Sequence, residues 1–120
     1  MELLEEMKTL GVDVEEGTDR LMGNTALYER MLVKFADMLQ ETPVSPDFSE
    51  KDCGGALQSI HALKGAAGNL SIRPLYEAYT EIVNLLRAGE VSRARDEIRR
   101  ILPVQEEIAA RIRKYGQEQG

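Results

Sequence analysis

One stretch of this chain carries residues whose types and spacing could do chemistry: His61-Ala62-Leu63-Lys64-Gly65, built around the only histidine. A neutral imidazole is a good nucleophile near pH 7, because its ordinary pKa is about 6.5. It can accept a phosphoryl group and pass it on. Helical periodicity runs through this stretch, so Lys64 stands one turn from His61 and can offset charge on phosphoryl oxygens. Each residue along a helix turns by about 100°. Measured from His61, Gly54, Lys64, Gly65 and Gly68 fall on its own side. Ile60, Leu63, Ala67 and Leu70 fall opposite and are expected to face the core. The histidine is therefore expected to point to solvent, beside a lysine and among glycines.

Those glycines need a reason. Each destabilises a helix interior by roughly 1 kcal/mol relative to alanine. Gly54, Gly55, Gly65 and Gly68 lie in one expected helix. One reason is close approach of another macromolecule to the backbone around His61. Tight helix–helix packing is the other, and Gly55, rotated away from His61, fits that better.

Other chemistries lose support. One histidine cannot build a multi-histidine metal site. No phosphate-binding loop and no dinucleotide fingerprint occur in the sequence, so an ATP site and kinase activity are not expected. Cys53 is alone, which excludes an intramolecular disulfide and fits a reducing compartment. The net charge is −6, from 15 basic and 21 acidic side chains. The excess acid lies in the first half, arguing against a general nucleic-acid or anionic-membrane binder. Met1-Glu2-Leu3-Leu4-Glu5-Glu6 lacks the basic start and apolar run of a signal peptide. No apolar stretch approaches the ~18 residues of a membrane span. A cytoplasmic location is expected, with a monomer as the expected state.

The elements that must position His61 read as helices almost throughout. The 120 residues fit one domain, 1–120. Residues 1–23 hold two short helices and about 24–116 a core bundle. The first helix, 1–10, presents Leu3, Leu4, Met7 and Leu10 on one side and stops at Gly11. Asp13 caps a second, reaching about Met22 and stopped by Gly23. Asn24 or Thr25 caps a third with the stripe Tyr28, Met31, Leu32, Phe35, Met38 and Leu39. Pro43 and Pro46 make a loop. Ser49-x-x-Asp52 resembles a capping box that opens the fourth helix, which carries His61. A fifth starts near Arg73, with Pro74 tolerated in its first turn, and ends at Gly89. Ser92 caps the last, whose apolar positions Ala94, Ile98, Ile101, Ile108, Ile112 and Tyr115 leave one slot to Gln105. Pro103 should kink that helix, a break being the competing expectation. Four long amphipathic helices joined by short loops have one common solution, an antiparallel bundle. The fold class expected is all-α: an antiparallel four-helix bundle with one or two short N-terminal capping helices.

At this point the residues resemble a family. His61-Ala62-Leu63-Lys64-Gly65-Ala66-Ala67-Gly68-Asn69-Leu70 is similar to the histidine phosphotransfer (HPt) motif, H-x-[LI]-K-G followed by small residues. Gly23-Asn24, Leu27-Tyr28, Leu32 and Phe35 resemble the family's GN-x-x-LY…L-x-x-F helix, and Leu86-Arg87-Ala88-Gly89-Glu90 its following turn. Roughly residues 10–115 are covered. The resemblance implies that His61 takes a phosphoryl group on a ring nitrogen from an aspartyl-phosphate receiver domain and returns it to another. It implies Lys64 as the phosphate-supporting residue. Gly65 and Gly68 with Leu57, and Asn69 at the margin, would line the docking face. The chain itself would hold no cofactor, Mg²⁺ belonging to the receiver. Its partners would be response-regulator receiver domains and a hybrid sensor histidine kinase. Two departures stand out: Ser71 occupies a position that is usually glycine, and Ile82-Val83 replaces a common Leu-Glu pair.

Two alternatives stay open. The phosphoacceptor domain of a chemotaxis-type histidine kinase has a similar motif and bundle, with ATP as donor through a separate kinase domain. A phosphotransfer-inactive helical scaffold that binds receivers would keep the fold without the chemistry. At the level of single residues, Lys64 could be an ordinary solvated lysine. Arg93, Arg95, Arg99 and Arg100 read as a solvated face, with Arg93/Glu97 and Asp96/Arg100 at i,i+4.

Overall fold

The apolar stripes fold into six α-helices, and the computed structural model describes residues 2–119. These are α1 (Leu3–Thr9), α2 (Val14–Asp19), α3 (Thr25–Glu41), α4 (Cys53–Asn69), α5 (Arg73–Arg87) and α6 (Val91–Gln119). No strand occurs among the described residues. The four long helices pack in a ring: α3 on α4, α4 on α5, α5 on α6, and α6 back on α3. The α4–α5 and α5–α6 contacts are the most extensive. The short α1 and α2 lie against α6 and α3. Leu3, Met7, Val12 and Val14 from this N-terminal region join the same buried cluster as the long helices. Its centre is Tyr28, Leu32, Ile60, Leu63, Leu75 and Ile82, all essentially inaccessible.

Local signals set most helix ends. The Asp13 carboxylate accepts from the Glu16 amide (3.1 Å) and the Asn24 side chain from the Leu27 amide (3.0 Å), capping α2 and α3. α2 stops at Asp19, short of the expected Met22, in a turn where Met22 and Gly23 both take positive φ.

Two caps differ from expectation. Ser49 makes no side-chain cap, and the chain enters α4 through a single 3-10 turn, Glu50–Asp52. The loop before it is pinned from elsewhere: Arg95 lies 5.0 Å from the Phe48 ring centroid and donates to the Phe48 carbonyl (2.9 Å). The approach is thus set by a residue of α6, not by the local box. Ser92 lies inside α6, which already begins at Val91, with the Ala94 amide on the Glu90 carbonyl.

α6 runs unbroken through Pro103 for 29 residues. A proline within a helix costs about 3 kcal/mol. Ile98 and Ile101 before it and Ile108 and Ile112 after it are all buried, so packing on both sides holds the helix through that cost. Gln105 fills the polar slot in the stripe: buried, it accepts a hydrogen bond from the Tyr79 hydroxyl (2.5 Å). Burial pushes the Tyr79 hydroxyl pKa up, keeping it a neutral donor.

Candidate functional site

α4 is anchored by Ile60, Leu63 and Ala67, all buried, with Leu70 just beyond its end. That fixes the rotation of the helix. His61 is exposed on the opposite side, Lys64 half-buried one turn on, and Gly54 and Gly65 are exposed beside it. Leu57 and Gly68 are half-buried on the same face, and Asn69 is exposed at its margin. Asn69 also edges a separate apolar groove between α3 and α4, with Met31, Phe35, Met38 and Ala66.

The glycines of α4 now separate. A Cβ built at Gly54 or Gly65 would meet no atom within 4 Å. At Gly68 it would lie 2.9 Å from the ring of Tyr76 on α5. At Gly55 the nearest atoms would be those of the Asp52 carboxylate, one turn back.

Arg87, in the last turn of α5, shares an open groove with Gly54, Leu57, Gln58, His61 and Ala62. Tyr76, near the start of α5, sits on Gly68 near the end of α4. The two helices therefore run in opposite directions, with His61 between these contacts. Neither Lys64 nor Arg87 has an ion-pair partner among the described residues. An exposed imidazole thus stands near two cations not engaged by carboxylates. The sequence context of Arg87 marks only a helix end; its place in the groove beside His61 follows from the antiparallel pairing of α4 with α5. No group of acidic, histidine or cysteine side chains suited to a metal ion occurs among the described residues.

The arginines of α6 pair differently than expected. Arg93 binds Glu90 (2.8 Å), Arg99 binds Asp96 (3.1 Å) and Arg100 binds Glu97, all at i,i+3. Arg95 is spent on Phe48. This face is a solvated, paired surface.

The C-terminal end of α4 is tightly built. Ser71 has φ +54°, in the left-handed region. Its amide bonds the Gly68 carbonyl (3.2 Å) and the Ile72 amide bonds the Ala67 carbonyl (3.0 Å), the two bonds of a Schellman cap. Glycine usually fills that position, and here a serine does. Its hydroxyl donates to Glu16 (2.7 Å) and accepts from Arg20, while its carbonyl takes the Asp13 amide (2.9 Å). Arg73 binds both Asp13 and Glu16 at 3.0 Å. The Ser71 hydrogen bond, then Arg20, hold the Glu16 carboxyl below its ordinary pKa. Beside this cluster the buried Tyr28 hydroxyl donates to the Leu70 carbonyl (2.6 Å). Gly17 admits that ring: a Cβ there would overlap Tyr28 and lie 2.9 Å from the Leu70 carbonyl oxygen.

Comparison with protein-family models, curated proteins and solved structures finds no match to this chain. No helix of the described residues is long and apolar enough to cross a membrane.

Proposed function

We propose that the chain is a histidine phosphotransfer domain. In this reading α3–α6 form the antiparallel four-helix bundle, with α1 and α2 packed on it. His61 relays a phosphoryl group between aspartyl-phosphate receiver domains. The observation that carries the proposal is the face around His61. The imidazole is exposed at mid-helix, between Gly54 and Gly65, whose missing side chains answer no contact within the molecule. A helix that accepts this cost of roughly 1 kcal/mol per interior glycine gains room for an incoming surface.

The unprotonated ring nitrogen attacks phosphorus with its lone pair. The N–P bond forms as the P–O bond to the receiver's aspartate breaks, and the carboxylate leaves with that electron pair. The proton on the other ring nitrogen stays in place. Lys64 and Arg87 are placed to offset charge on the phosphoryl oxygens. An open face without an enclosed pocket suits a carrier whose partner supplies Mg²⁺ and the remaining catalytic groups. The domain acts in the cytoplasm as a monomeric carrier, without an ATP site, between receivers and a hybrid sensor histidine kinase.

The test is transfer from receiver domains radiolabelled on their aspartate. Label should move to the wild type as an acid-labile adduct and fail to move to His61→Gln. Label persisting on that variant contradicts the assignment.

A further inference from the structure

Among the described residues only Met22 and Tyr76 are large apolar side chains left strongly exposed. Met22 projects from a turn. Tyr76 is different, because the structure builds a seat for it. Its ring lies against the α4 backbone at Gly68, where a Cβ would be only 2.9 Å from two ring carbons. Gly68 is therefore not an open position like Gly54 and Gly65. It is glycine so that an aromatic ring can rest there, still 40% exposed. Tyr28 and Tyr79 spend their hydroxyls on internal acceptors, whereas the Tyr76 hydroxyl bonds none of the described residues.

The seat lies on the face of His61. Seven residues separate Gly68 from His61, which is two helical turns, about 10 Å along the axis and within about 20° in rotation. A stable protein–protein interface covers about 800 Å² on each partner, a patch roughly 30 Å across. A patch of that width centred on His61 reaches about 15 Å to each side and takes in Tyr76 on Gly68. A ring held in place loses little conformational freedom on binding, and tyrosines of this kind often anchor interfaces.

We infer that Tyr76, seated on Gly68, is a docking contact that sets affinity for the receiver domain that exchanges phosphate with His61. The inference rests on the phosphocarrier reading. Docking spreads off α4 onto α5, and Gly68 serves it through Tyr76, not by leaving empty space. Tyr76 lies too far from His61 to touch the reacting atoms, so it acts on binding and not on the chemical step.

The experiment measures transfer from a panel of acetyl-phosphate-charged receiver domains to wild type, Tyr76→Ala and Tyr76→Phe. Labelling by phosphoramidate, which needs no docking, runs in parallel, with thermal melts to monitor the fold. Tyr76→Ala should raise KM for the receiver at least tenfold, leave kcat within about threefold, and label normally with phosphoramidate. Tyr76→Phe keeps the ring and should retain most of the affinity. A KM for Tyr76→Ala within twofold of wild type overturns the inference. Wild type that labels with phosphoramidate but accepts from no receiver contradicts receiver docking itself, and the inference with it. Failure to label with either donor contradicts the phosphocarrier reading at its root.

Discussion

The His61 face of α4 and its C-terminal end use small and strained residues for opposite purposes. Around His61, Gly54 and Gly65 face open space, and nothing among the described residues requires them to be glycine. Around Leu70, every unusual residue has an internal partner. Gly17 admits the Tyr28 ring, Gly68 seats Tyr76, and Ser71 holds a left-handed backbone inside a network of Glu16, Arg20 and Asp13. A small residue with a neighbour explains the fold, whereas one without a neighbour points outside the molecule. Mutation should therefore change sign between the two regions.

The largest effect is expected at Gly17. A methyl there must displace both a buried ring and a backbone carbonyl, neither the loose end of a flexible side chain. Overpacking of this kind costs about 1–3 kcal/mol, with the upper end expected here. Urea unfolding of Gly17→Ala reads it directly as a lowered midpoint.

Ser71 comes next. Ser71→Ala keeps the positive φ and loses the hydroxyl's bonds to Glu16 and Arg20, for a loss of about 1 kcal/mol. Ser71→Gly loses the same bonds but relieves backbone strain of about 1 kcal/mol, so its stability should lie near wild type and above that of Ser71→Ala. The alanine effect should also depend on pH. The folded-state pKa of Glu16 is lowered, chiefly by Ser71. Its contribution is therefore complete above the ordinary value of 4.5 and is lost as pH falls through the depressed folded value. The gap in melting midpoint between wild type and Ser71→Ala should narrow as pH falls through that range, the Arg20 bond leaving a remainder, whereas a gap independent of pH would detach Ser71 from Glu16.

Gly65 gives the smallest shift in stability, and of opposite sign. Gly65→Ala should stabilise the free protein by about 0.5–1 kcal/mol, since a helix interior favours alanine and the site is empty. The same methyl should slow receiver transfer. A stabilised variant that transfers normally would leave the glycine without a docking role.

Much of this arrangement was legible in the sequence, because it depends on periodicity. The stripes of α3, α4 and α5, the rotation that turns His61 outward and the caps at Asp13 and Asn24 follow from spacings of a few residues. The rest depends on partners far along the chain. Ser71 departs from the resembling family's glycine, yet its backbone takes the conformation that favours glycine. The hydroxyl bond that accompanies it reaches Glu16, 55 residues away. Gly17 is set by Tyr28 and Leu70, and the approach to α4 by Arg95. Arg87 and Tyr76 join the face only through the antiparallel pairing of α4 with α5. Local pattern does not encode such contacts, which is why the capping box at Ser49 does not form.

If His61 is an open, competent phosphoacceptor, a small donor should label it without any partner. The most direct measurement incubates the protein with phosphoramidate and reads intact mass before and after mild acid, with His61→Gln alongside. One phosphoryl adduct is expected on the wild type, lost in acid and absent from the variant. A folded wild type that gains no adduct, or a variant that gains the same one, would contradict that role of His61.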